Sequence, residues 1–198
     1  MNTSRAYVMT ARAASTARTG ERILDAAIEL FWQRPTDELS LAEVARRAGV
    51  SVQTVIRRFG GKDGVLAAAG AREAQRVSQQ RGTAPVGDVA GAVAVLVDHY
   101  EEMGERVLKL LAEESRVPEL GAIVAQGRLV HRAWCADVFA PALAARPEGP
   151  ERTRLLAQLV AVCDLMTWHC LRHVAGLDRP ETERALVELL EPLMEDAR

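Results

Sequence analysis

Residues 40–59 read SLAEVARRAGVSVQTVIRRF, and the spacing inside this stretch decides the fold. Ser40 followed three residues later by Glu43 is a capping box, which opens a short helix over 41–48. Gly49 suits the left-handed position that ends such a helix. Ser51 then caps a second helix over 52–59, and Gly60-Gly61 breaks it. Apolar Leu41, Val44, Ala45, Ala48, Val50, Val55 and Phe59 recur at spacings that pack both helices on a further element, with small Ala45 at the close crossing. Two short helices joined at a glycine turn make a helix-turn-helix.

Working outward, residues 22–33 place Ile23, Ala26, Ala27, Leu30 and Phe31 on one helical face, ending before Pro35. Downstream, the apolar spacing predicts helices over 62–80, 87–114 with a break near Gly104, 118–144, 151–175 and 180–196. RGTAPVG at 81–87 reads as a loop. No run alternates with period two between hairpin turns, so the expected class is all-α.

The chain has 198 residues, 48% apolar and 26% charged, enough for a real core and ordinary for a globular protein. Twenty-five basic against 27 acidic side chains leave a net charge of −2, which excludes a uniformly basic polyanion binder. The total hides an asymmetry: residues 1–65 carry 10 basic and 7 acidic groups, whereas 66–198 carry 15 and 20. Positive charge gathers at one end. Residues 1–20 hold Arg5, Arg12 and Arg18 and no acid, read as a flexible basic arm rather than a secretory signal. Cys135, Cys163 and Cys170 show no CxxC spacing, so neither a disulfide framework nor a zinc knuckle is expected, and a reducing cytoplasm fits.

A helix-turn-helix presents the start of its second helix to the DNA major groove, here Val52, Gln53 and Thr54, followed by Ile56, Arg57 and Arg58. Gln53 matches an adenine edge and Arg57 the O6 and N7 of guanine. Thr54, Arg58 and Lys62 suit phosphates, and Lys62 opens the next helix, where free backbone N–H groups favour an anion. Only Lys62 and Lys109 are lysines in a chain that otherwise uses arginine, so a compact point charge is expected at 62. Arg46 and Arg47 read equally well as a solvated face.

From Glu21 to Leu66 the sequence resembles the DNA-binding domain of the TetR family of bacterial transcriptional regulators, through RILDAAIELF, LSLAEVARRAGVSVQTVIRRF and GKDGVL. The resemblance implies three DNA-binding helices (21–65), followed by about six helices that bind a ligand and dimerise (66–198). It implies phosphate contacts at Thr54, Arg58 and Lys62, base reading at Val52, Gln53 and Arg57, and phosphate near Ser40 and Leu41. The family often has glycine where this chain has Gln53 and tyrosine where it has Ile56. The tyrosine's phosphate contact is therefore missing here.

Residues 155–171 are apolar at 13 of 17 positions, too interrupted for a membrane span, so a second copy is expected to cover one face. The final helix, with Leu186, Leu189, Leu190, Leu193 and Met194, supplies the other stripe of a homodimer built on the last two helices. Two recognition helices about 34 Å apart would then read a palindromic double-stranded DNA operator. Candidate lining for an unknown small-molecule effector is Tyr100, Met103, His131, Trp134, Asp164 and Trp168, with Cys135, Met166 and His169 beside them.

His169 and His173 stand four apart, as do His131 and Cys135, but no carboxylate pair completes a site, so no metal and no cofactor is assigned. The expected function is a ligand-released repressor, with an activator or a metal-sensing variant as alternatives. A hydrolase using His131, Cys135 and His169 lacks a nucleophile, base and orienting acid at recognisable spacing. An adaptor with a vestigial helix-turn-helix predicts no sequence-selective DNA binding.

Overall fold

The computed structural model describes residues 3–195, with side chains from Ala14 onward except at positions 37, 118 and 119. The order is α1 (Thr3–Gln33), a 3-10 turn (Thr36–Glu38), α2 (Leu41–Ala48), α3 (Val52–Phe59), α4 (Lys62–Arg81), α5 (Val89–Glu113) and α6 (Pro118–Val138). Then come α7 (Ala140–Ala144), α8 (Pro150–Val162), α9 (Leu165–His169), a π turn (Cys170–Val174) and α10 (Arg179–Glu195). No strand occurs among the described residues, so the fold is all-α as the periodicity predicts.

The chain divides into two compact units, Met1–Glu73 with Glu113–Ile123, and Ala74–Ala112 with Val124–Arg198. The division runs through α4, α5 and α6, so each of these helices starts in one unit and ends in the other.

In the first unit the predicted face of α1 is the core: Ile23, Ala26, Ala27, Leu30 and Phe31 are all buried. Val44, Ala45 and Ala48 of α2, Val55 of α3 and Val65 and Leu66 of α4 are buried with them. Each large aliphatic chain removed from water in this way contributes about 1.5–3 kcal/mol. The arm expected to be flexible over 1–20 is helical from Thr3 on. Its composition explains why: Ala6, Ala11, Ala13, Ala14 and Ala17 alternate with arginines, and no proline interrupts them. The Arg5 and Arg12 side chains lie outside the described residues.

In the second unit one core gathers Leu96, Tyr100, Trp134, Cys135, Phe139, Leu159, Cys163, Trp168, Leu186 and Leu190. Two predicted helices are interrupted there. The 118–144 helix stops at Val138 and restarts at Ala140, with Pro141 in the first turn of α7. The 151–175 helix breaks after Val162, where Asp164 leaves helical geometry and its carboxylate accepts from the Met166 N–H at 2.8 Å. A near-continuous apolar pattern hides such a break, because every residue on either side of it still fits a core.

No single helix among the described residues is long and apolar enough to cross a membrane. The segments Pro150–Val162 and Leu165–Val174 pass that test only together, bent by 41°. Leu155, Leu159, Leu165 and Trp168 on them are buried in the protein's own core.

Candidate functional site

Ser40 caps α2 by accepting from the Glu43 N–H at 3.2 Å. The reciprocal half of the expected capping box is diverted, because the Glu43 carboxylate accepts from Arg46 Nη2 at 2.6 Å and Nε at 3.2 Å. That bond, more than any other influence, holds Glu43 below the usual carboxylate range. Gly49 then takes φ 64°, a left-handed turn that glycine adopts without strain. Ser51 caps α3 through the Thr54 N–H at 3.2 Å, and the two hydroxyls lie 2.9 Å apart.

Only Val55 of α3 is fully buried. Gln53, Ile56, Arg57 and Arg58 are exposed, and Val52 and Thr54 are half-buried at the helix start. Leu41 is half-buried and Ser40 exposed at the start of α2. Gln53, Ile56, Arg57 and Arg58 are thus exposed away from Val55, the residue that anchors this short helix in the core.

The four arginines of the motif separate by partner. Arg46 is paired with Glu43, and Arg47 donates to Glu29 at 2.8 Å and Gln33 at 3.2 Å. Among the described residues neither Arg57 nor Arg58 has an acidic partner. Both line a cleft of about 470 Å³ together with Thr54 and with Thr16 and Thr19 of α1. Two guanidiniums and three hydroxyls in one concavity are donors suited to a phosphate.

Sequence reasoning missed Thr16, Thr19 and Gly20. The available signal was Gly20 itself, a glycine inside a helix, which often marks a close approach. A Cβ there would lie 2.5 Å from Arg58 Nη2, so the guanidinium rests directly on the α1 backbone.

Lys62 sits at the start of α4, and its ammonium donates to the Thr36 carbonyl at 2.8 Å. Thr36, 0% exposed, in turn donates from its N–H at 3.0 Å and its hydroxyl at 2.5 Å to Oε2 of Glu113. Lys62 is thus also a structural tie to the turn before α2. Gly64, two residues on, closes the corner between α3 and α4: a Cβ there would lie 1.7 Å from the Phe59 carbonyl oxygen.

The six residues expected to line an effector cavity fall into packed groups. Tyr100 donates to the Cys163 carbonyl at 2.8 Å, its ring 5.7 Å from that of Trp168, and burial pushes its phenol well up. Met103 is buried and meets Arg106. Asp164 caps α9, and Arg172 bonds Glu101 at 2.7 Å. His131 and Trp134 surround Arg81, which the sequence reading did not select.

Arg81 is 4% exposed, with its guanidinium 4.1 Å over the Trp134 ring, Nη2 3.0 Å from His131 Nδ1 and Nε without a hydrogen-bond partner. The Cys163 thiol, followed by His131 and Arg81, pulls the Cys135 thiol down. The bond to Cys135 pushes Cys163 up. Burial, reinforced by Arg81, lowers His99 to about 4.

A helix-turn-helix whose exposed second helix carries Arg57 and Arg58, without acidic partners among the described residues, has the arrangement that entry into a DNA major groove requires. Residues 23–69 match the model of the bacterial regulatory proteins of the tetR family. Solved structures agree on the fold across both units. A transcriptional regulator from Pseudomonas aeruginosa PAO1 is 16% identical, with a TM-score of 0.70 over 90% of this chain and 91% of that one. A TetR-family regulator from Mesorhizobium loti MAFF303099 is 20% identical, with a TM-score of 0.67 over 90% and 96%. NalD of Pseudomonas aeruginosa, described as the secondary repressor of the MexAB-OprM multidrug efflux pump, is 18% identical, with a TM-score of 0.58 over 90% and 96%. No curated protein sequence matches the chain.

Proposed function

We propose that the chain is a homodimeric repressor released from a palindromic operator by a small molecule, with 21–65 reading DNA and 66–198 binding the effector and the second copy. The observation that carries the DNA half is the contrast among arginines: among the described residues Arg57 and Arg58 lack acidic partners on exposed positions of α3, while Arg46 and Arg47 are neutralised. In this reading Val52, Gln53 and Arg57 meet bases. Thr54, Arg58 and Lys62 grip phosphate, with Ser40 and Leu41 close to the backbone.

Support for a second copy comes from apolar side chains left uncovered on the expected helices. Met166 is 49%, Val174 75% and Leu189 47% exposed. Leu186 and Leu190 are buried in the chain's own core, so α10 offers a narrower stripe than its sequence suggests. A dimer of helix-turn-helix units reads half-sites about one DNA turn apart.

For the effector, the buried Arg81 beside His131 and Trp134 is the favoured anchor, and Tyr100, Met103, Asp164 and Trp168 are the further lining candidates. A buried guanidinium with no carboxylate partner among the described residues suits a ligand with an apolar body and one anionic group. The reading is tested by sedimentation of the purified protein and by binding to its own upstream DNA against scrambled duplex at two salt concentrations. A dimer that prefers the upstream DNA supports it. A monomer with equal affinity for both duplexes overturns it.

A further inference from the structure

The sequence reading left His169 and His173 without a carboxylate to complete a metal site. The structure supplies one from a distant part of the chain, Glu105 on α5. One ligand atom from each of Glu105, His169 and His173 lies within 4.8 Å of the other two. Glu105 Oε1 is 3.8 Å from His173 Nε2, and the imidazole rings are 5.1 Å apart, tilted by 33°. We propose that these three side chains form a binding site for a zinc-class divalent cation, bridging α5 to the end of α9 and the π turn that follows it.

Local structure favours the proposal in three ways. The segment Cys170–Val174 is a π turn, with the Ala175 N–H bonded to the Cys170 carbonyl at 2.8 Å, and π turns inside helices concentrate at functional sites. His169 Nδ1 is buried without a hydrogen-bond partner, so the imidazole has an unspent polar atom. The neighbouring cation, Arg172, is held away by Glu101 at 2.7 Å and the Leu177 carbonyl at 3.0 Å.

The donor set decides the class of metal. Two imidazoles and a carboxylate suit zinc and its first-row neighbours, whereas magnesium and calcium prefer all-oxygen shells. Three protein ligands leave a fourth, open position for water. Tetrahedral bonds of about 2.0–2.2 Å put donors roughly 3.3 Å apart, so the cluster must contract by at most about 1.5 Å. Side-chain rotation can supply this, because Glu105 and His173 are exposed and only His169 is half-buried.

The site is independent of the DNA-binding reading, and its test uses no DNA. Full-length protein, freed of metal by chelation, is titrated with Co²⁺ while visible absorption and tryptophan fluorescence are followed. The Trp168 ring lies 5.0 Å from that of His173 and reports occupancy by quenching. The expected result is one Co²⁺ per chain, displaced by Zn²⁺, with affinity falling about tenfold or more in Glu105→Gln and in His173→Gln.

Both of those residues are exposed, so neither variant threatens the fold. His131→Asn, at the buried cluster around Cys135, should bind as the unaltered chain does. Absent binding, or binding that survives Glu105→Gln and His173→Gln, would overturn the proposal. So would binding that His131→Asn abolishes.

Discussion

Glu113→Ala isolates the interaction that fastens the turn before α2. The Glu113 carboxylate accepts two hydrogen bonds from Thr36, a residue with no exposure to water, and the backbone N–H has no freedom to turn elsewhere. A buried donor left without an acceptor costs about 1–3 kcal/mol. The hydroxyl can rotate and loses less, so the two together predict about 2–4 kcal/mol. Against a total stability of about 5–15 kcal/mol this is a large share. Glu113→Gln keeps a carbonyl oxygen and should cost only about 1 kcal/mol, the difference between a charged and a neutral acceptor.

The assay is urea unfolding, followed by circular dichroism and by the fluorescence of Trp32 near the end of α1. Thr36→Val, which removes the hydroxyl alone, completes a double-mutant cycle with Glu113→Ala, with an expected coupling of about 1 kcal/mol. Equal losses for Gln and Ala at 113, or additive effects of the two single changes, would refute the reasoning.

Gly64→Ala puts a methyl 1.7 Å from a backbone oxygen, so the corner between α3 and α4 must open. We expect at least about 2 kcal/mol lost and weaker operator binding, read by thermal melting and fluorescence anisotropy. Arg57→Ala should relax specificity at one base pair by roughly 1–3 kcal/mol, and Arg58→Ala should weaken all duplexes alike and lower the salt slope by about one. Arg46→Ala, whose charge Glu43 already balances, should leave both nearly unchanged. His99 is held at about 4 against an ordinary 6.5, so the folded chain binds fewer protons than the unfolded one between those values. Its contribution is complete above about pH 6.5 and is lost as pH falls toward 4, about 2 kcal/mol of it between pH 7 and pH 5. Urea midpoints at the two pH values check this, and His99→Gln should flatten the dependence.

What the sequence shows about the fold is local. The caps at Ser40 and Ser51, the glycine at 49 and the buried face of α1 follow from residues within a turn or two of one another, and each is where the spacing puts it. The features it does not show are made by partners far apart in the chain. Thr36 and Glu113 are 77 positions apart, and Tyr100 reaches the Cys163 carbonyl across 63. Glu105 likewise lies far from His169 and His173 in sequence. The four arginines of the motif look alike in sequence; Arg46 is set apart by a local pair with Glu43 three residues earlier, but only tertiary pairing with Glu29 separates Arg47 from Arg57 and Arg58. Lys62 shows the same limit: its position at a helix start is readable, but its bond to Thr36 depends on a turn 26 residues earlier.

That bond bears on how an effector would act in the proposed repressor. An effector shifts a two-state equilibrium only by the difference in its affinity for the two states, so something in the DNA-reading unit must change along with the effector site. Helix α5 runs from the second unit into the first, and Glu113 is its last residue. The Glu113 carboxylate holds the Thr36 N–H and hydroxyl, and the Thr36 carbonyl holds Lys62 at the start of α4. A displacement of the end of α5 would therefore strain three hydrogen bonds around one buried residue. Breaking either bond to Glu113 leaves a buried Thr36 donor unsatisfied, which favours two discrete arrangements over a graded bend. On this reasoning Glu113→Gln, by weakening the tie without deleting it, should lower the factor by which effector reduces DNA affinity while leaving effector-free binding close to that of the unaltered chain. Anisotropy titrations with and without effector measure that factor. An unchanged factor in a folded Glu113→Gln protein would place the coupling elsewhere.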